Sequence, residues 1–296
     1  MDNRARGHLA ALFTVLIWAT TFIATKLLLR DFTPVEILVF RFTLGVAALY
    51  AGCPRLLRVR DVRQELTFAA AGLTGACLYY MLENLALTYT TAANVGVIAA
   101  SSPLFTALFA WAAGGGRPGG RFFLGFLTAI SGICLLSLPE LAGGSLHLRG
   151  DLLALGGAVV WGVYSNLVKR ISAFGYPVLQ TTRRTFLYGL AFMFPACGLT
   201  EFRWGLERFL NPGYLAAFLY LGVGACAVCF VTWGTAVKIL GPVKTSVYIY
   251  ISPAITLLCS VLILREHVTL WSLAGAALTL AGLVLSQWDS IKQKRG

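Results

Sequence analysis

Residues 103–132 read PLFTALFAWAAGGGRPGGRFFLGFLTAISG, and residues 253–282 read PAITLLCSVLILREHVTLWSLAGAALTLAG. The two stretches register at an offset of 150: Pro103 on Pro253, Gly125 on Gly275, Gly132 on Gly282 and, one step before, Ser102 on Ser252. A second set of matches runs at an offset of 143: Gly7 on Gly150, Trp18 on Trp161, Lys26 on Lys169, Pro34 on Pro177 and Arg41 on Arg184. Apolar residues coincide by chance in any apolar chain, but this set includes Trp, Lys, Pro and Arg. The sequence therefore reads as a duplication, with seven extra residues between the second and fourth apolar runs of the second half.

Working outward, 58% of the 296 residues are hydrophobic and 12% are charged. That charged share is about half of what a soluble domain carries. The apolar residues gather in runs near the ~20 residues that cross a bilayer as a helix. Inside hydrocarbon every backbone polar group needs an internal partner, and the long runs exclude the short alternating segments of a barrel. The spacing predicts ten spans, at 7–28, 33–52, 65–87, 91–113, 121–138, 150–170, 177–199, 211–235, 242–264 and 268–288. Pro34, Pro177, Pro212 and Pro242 sit at span starts, where a missing N–H costs nothing. Each half then has five spans, an odd number, so the second inserts upside down. The expected fold is all-α integral membrane, ten transmembrane helices as two inverted five-helix repeats, residues 1–140 and 150–290, a plan common among secondary transporters.

Orientation follows from the basic residues. With the N-terminus inside, fifteen Lys and Arg fall on the inner side, six on the outer, and Arg41, Arg183 and Arg184 within spans. Both termini are thus expected to be cytoplasmic, in a multi-pass protein of the bacterial inner membrane. The net charge of +12 is topological by this reading, and nucleic acid is excluded because no basic stretch with interleaved aromatics lies outside the spans. The basic start before the first run resembles a signal peptide, but the run is too long and lacks a small-residue cleavage site, so it is expected to remain as span 1. Cys226 and Cys229 have CxxC spacing; with no further Cys or His at ligand spacing they read as packing residues. No metal, no cofactor and no catalytic residue is expected.

Depth along a helix, at about 1.5 Å per residue, selects candidate site residues. Trp18, Trp161, Pro103 and Pro253 fall near the midplane. A mid-span proline removes a hydrogen bond and kinks its helix, so Pro103 and Pro253, with Ser101, Ser102 and Ser252 beside them, are either paired hinges around a site or packing kinks. Charges inside a membrane are costly and are usually functional or paired. Arg41 and Glu83 lie at similar depth: either they form a static pair or Glu83 couples transport to protons. Arg184 has no acid at the corresponding place and either grips a substrate anion or snorkels to headgroups. Tyr79, Tyr80, Trp161, Tyr164, Asn166, Tyr248 and Tyr250 complete the substrate-binding candidates, with core packing as their alternative. Trp204, Trp271 and Trp288 read as interface anchors, and the paired glycines as sites of close helix contact.

The stretches WATTFIATKLLL (18–29), RFTLG (41–45), ENLALTYTTAANVGVIAASSPLFTAL (83–108), AVKILGPVKTSVYIYISPAITLL (236–258) and LREHVT (264–269) together resemble the drug/metabolite transporter superfamily and, within it, the EamA family. The resemblance covers nearly the whole chain. It implies ten helices from two inverted repeats, a central cavity lined by spans 1–4 and 6–9, peripheral spans 5 and 10, and export or exchange of amino acids or other small metabolites without ATP. The expected activity is alternating-access transport of a zwitterion or amphiphile, driven by protons or exchange. A lipid flippase, or a membrane enzyme acting on lipid-linked substrates, is the alternative, and the loops offer no His, Asp or Glu cluster for the latter. The expected partners are a small-molecule substrate and membrane lipid, and the sequence admits a monomer.

Overall fold

The computed structural model describes residues 2–59, 61–143, 146–205 and 207–286, and among these all regular structure is helical. Ten helical stretches follow one another: α1 (Asn3–Leu28), α2 (Pro34–Gly52), α3 (62–89), α4 (Ala92–Ala112), α5 (Gly120–Gly143), α6 (Leu146–Ser172), α7 (Val178–Leu199), α8 (Pro212–Leu240), α9 (Pro242–Leu264) and α10 (Leu270–Ser286). Seven of them, α1, α2, α4, α5, α6, α8 and α9, are long and apolar enough to cross a membrane. The others are α3 and α7, which carry Glu83 and the pair Arg183 and Arg184, and the 17-residue α10. Trp288 and the last basic residues lie outside the described residues.

Local chemistry sets the starts. Thr33 and Glu36 form a reciprocal capping box ahead of α2: the Thr33 hydroxyl accepts from the Glu36 N–H at 3.3 Å, and Glu36 accepts from the Thr33 N–H at 2.7 Å. Pro34, Pro212 and Pro242 open their helices, while Pro177 stands one place earlier as an N-cap. Both mid-helix prolines break their helices. The α4 ladder is interrupted at Ala100 and Ser101, and α9 tightens into a 3₁₀ turn over Val247–Ile251 immediately before Ser252 and Pro253. Among the described residues three helices carry the opposite distortion, α9 at its end over Ser260–Leu264 and two others. In α3 the Tyr79 N–H reaches back five residues to Thr74 O, and in α8 the Cys229 N–H reaches Gly224 O, so residues 72–78 and 220–228 are π-helical.

Packing follows a paired scheme. Helix α1 packs on α8 and α9, and α6, five helices later, packs on α3 and α4. Large apolar side chains such as Leu16, Leu124, Leu127, Leu262 and Leu270 point outward and stay exposed, the inverse of a soluble surface. Helices α5 and α10 clasp each other through glycines. A Cβ on Gly282 would lie 2.3 Å from Ala129 N, one on Gly125 2.3 Å from Ser286 N, and one on Gly132 2.4 Å from Thr279 N. Without side chains there the backbones touch, and Thr279 donates to Ala129 O at 3.4 Å across the seam.

Gly132→Leu or Gly282→Leu is therefore expected to overpack this seam at a cost of about 1–3 kcal/mol. Detergent thermal unfolding should show a midpoint lowered by several degrees. Gly120→Leu, where a side chain would meet nothing within 4 Å, should leave it unchanged.

Candidate functional site

Where α1, α3, α4, α6 and α9 meet, they leave a small central space of about 40 Å³. Trp18 from α1, Tyr79 from α3 and Trp161 from α6 form its aromatic walls, Ser102 and Ser252 come from the breaks in α4 and α9, and Val15, Phe22, Ala99 and Ile249 complete it. Among its nine lining residues only Tyr79 has an ionisable side chain. Five of the residues selected from the sequence thus converge here. They do so because depth and the helix breaks put them at one level, and the α1–α9 and α4–α6 contacts bring them to one point.

The walls are held by ring contacts. Trp18 meets Trp161 edge-on at 5.2 Å and touches Phe230 at 5.3 Å and Trp233 at 5.1 Å, while Tyr79 lies 4.7 Å from Trp161 and 4.8 Å from Tyr80. The Trp18 indole N–H donates to Ala225 O at 3.0 Å, which fixes the ring. The offset of 150 pairs Phe230 with Tyr80 and Trp233 with Glu83, and neither is among the site residues the sequence selects.

A second space opens toward the end of the molecule where α1 begins, between the end of α6, the start of α7 and the end of α8. Thr181, Thr182, Thr185 and Lys238 make it more polar. Tyr164 and Phe230 border it, and both also contact Trp161, at 5.0 and 6.1 Å, so one layer of rings separates the two spaces. The opposite end is tied shut across the two halves of the chain. Lys26 pairs with Glu266 at 3.3 Å, and fully buried Glu36 takes Arg208 at 2.9 Å and Arg203 at 3.6 Å.

The profile of the EamA-like transporter family matches residues 5–138 and again residues 148–288. The chain belongs to this family. An uncharacterized transporter of Archaeoglobus fulgidus is 28% identical over 290 residues, covering 95% of this chain and 97% of its own. A protein of Streptantibioticus cattleyicolor described as a probable terminal-alkyne amino-acid exporter is 27% identical over 287 residues, covering 97% and 95%. One solved crystal structure superposes with a TM-score of 0.70 at 22% identity, over 96% of this chain and 98% of the other, a likeness of fold.

Within this EamA-family chain Arg41 and Arg184 exchange the parts the sequence suggested. Arg184 is not free. Its guanidinium grips Glu65 at 2.6 and 2.9 Å and donates to Leu57 O at 3.1 Å, and Tyr188 bonds the same carboxylate. Glu65 lies at the start of α3, and that end of the helix leans onto α7, a contact that depth counting does not reveal. The neighbouring Arg183 is bound to the carbonyls of Cys53 and Arg55 and stacks on Tyr50 at 4.1 Å. Arg41, in contrast, is fully buried with both terminal nitrogens unpartnered; its Nε meets the Cys226 sulfur at 3.3 Å and its guanidinium lies 4.2 Å over the Tyr80 ring. Glu83 is 4% exposed, and its Oε1 is also without a partner. No ion pair joins the two among the described residues, so the expected static Arg41–Glu83 pair is not formed.

Three further candidates lie elsewhere. Asn166 donates to Thr106 O at 3.0 Å and Gly162 O at 2.9 Å, locking α6 to α4. Tyr248 bonds His8 at 2.6 Å near the start of α1, and Tyr250 is half-buried in the surrounding apolar core.

Arg184→Ala and Glu65→Ala should each lower the unfolding midpoint, while the double variant costs less than their sum. A double-mutant cycle should return a coupling of about 1 kcal/mol. Independent effects would show that the contact contributes nothing.

Proposed function

We propose that this chain is a secondary transporter that moves a small metabolite, an amino acid or a similar zwitterion or amphiphile, across the bacterial inner membrane by alternating access. In this reading all ten helical stretches cross the bilayer as two inverted five-helix repeats with both termini in the cytoplasm, and the direction is export, driven by protons or by exchange. The observation that carries the reading is the aromatic chamber with unbonded serines at its centre, reached through a vestibule at one end and closed by ion pairs at the other. A transporter needs such an enclosed site with one thin barrier and one thick one. The paired packing of α1 on α8 and α9, and of α6 on α3 and α4, supports the repeat. The printed name of the Streptantibioticus relative supports an amino-acid-like cargo.

Glu83 and Arg41 are assigned the coupling role. A buried charge with unanswered hydrogen-bonding atoms, as on Arg41 and on Oε1 of Glu83, costs several kcal/mol, and a fold keeps it only against that cost. Protonation of the Glu83 carboxylate would remove a charge one ring away from the chamber, because Tyr79 lines the chamber and lies within electrostatic reach of Glu83.

Purified protein in liposomes loaded with a broad metabolite panel should show counterflow of at least one solute, and absence of flux for every solute at every pH rejects the reading. Glu83→Gln is expected to flatten the pH dependence of that flux while leaving the protein folded. An unchanged pH profile removes Glu83 from coupling.

A further inference from the structure

Hydroxyls buried in helices normally return their hydrogen to the carbonyl three or four residues back. This chain often follows that habit: Thr106 donates to Ser102 O, Ser101 to Ile98 O, Ser260 to Leu257 O and Thr14 to Ala10 O. Among the described residues the buried hydroxyls of Thr25, Ser165, Thr182, Thr185, Ser102 and Ser252 depart from it, and of these only the last two stand at the central chamber. Both are more than nine-tenths buried, at 2% and 5% exposure, both line the central chamber, and neither hydroxyl is hydrogen-bonded among the described residues. They hold equivalent places, each the first residue of the half-helix that follows a break, Ser102–Ala112 and Ser252–Cys259. Neither half-helix has a side-chain cap. The same wall carries a third orphan donor, the buried indole N–H of Trp161.

We infer that Ser102 and Ser252 form a carboxylate cradle and that the ring faces of Trp18, Tyr79 and Trp161 take the ammonium group of the same substrate. This rests on the transport reading of the same chamber and adds its selectivity. The chamber has no formal charge to neutralise an ion, so a net-charged solute would pay its desolvation unaided. A zwitterion meets hydroxyl and indole donors at one pole and aromatic faces at the other. The serines, and not the buried arginines, then discriminate between an amino acid and its amide.

The test uses counterflow of L-alanine, L-leucine and L-phenylalanine in proteoliposomes of the full chain. Competitors are the three amino acids, their amides, and the acids that lack the amino group. The amino acids should compete at least tenfold better than either partial analogue. Ser102→Ala with Ser252→Ala should reduce the preference for amino acid over amide about tenfold and leave the affinity for the amide unchanged. Ser102→Thr, which keeps a hydroxyl, should restore most of the preference lost in Ser102→Ala, and thermal unfolding checks that every variant folds. Amides competing as well as amino acids, or serine variants weakening all competitors alike, would overturn the cradle. Flux of non-zwitterionic solutes alone would overturn the cradle and spare the transporter, whereas no flux of any solute would overturn both.

Discussion

A peptide group in hydrocarbon has only other protein atoms to bond with, and everything in this chain is arranged around that requirement. It forces each apolar run into a helix, and it makes any departure from the α-helical ladder expensive unless nearby groups answer the freed ones. Most of the departures here are clustered, the exception being the π turn that ends α9 at Ser260–Leu264. The breaks in α4 and α9 face the chamber, and the π turns of α3 and α8 lie in two of the helices that carry its aromatic cluster. Irregular backbone and function share one layer of the molecule because only an enclosed, partly polar space can accept the unpaired groups.

Specificity of helix pairing comes from absence of side chains rather than from stickiness. Lipid tails are as apolar as leucine, so apolar contact alone does not select a partner. At the α5–α10 seam, and where Gly72 of α3 approaches Thr185 O and Gly189 N of α7, bare backbone lets helices approach so closely that dispersion and carbonyl dipoles decide the pairing. Polar ties then fix the ends. Asp151 at the start of α6 gathers Thr90 at 2.9 Å and Ser137 at 2.6 Å, joining the α3–α4 turn, α5 and α6.

Much of this was legible in the residues. The helical stretches fall within a few residues of the hydropathy runs, and the duplicated Trp, Ser and Pro positions identified the chamber level. What the sequence withheld was azimuth. Counting from a helix start gives height above a surface, not which neighbour a side chain faces, and that is why Arg184 was read without Glu65 and Arg41 with Glu83. The π turns were equally hidden, because an i−5 bond leaves no compositional trace in GLTGACL or YLGVGACAV. Such a turn also changes azimuth for every residue beyond it.

That last point has a mechanical meaning. A π turn is an α-helix holding one surplus residue, and an α-helix advances about 100° per residue. Should the surplus slide out of the turn at residues 72–78, the remainder of α3 would screw round by that angle and carry Tyr80 and Glu83 together away from Arg41 on α2. The matching slack in α8 would turn Trp233 out of its contact with Trp18. Each half of the chain thus holds spare length in a helix that carries part of the aromatic cluster.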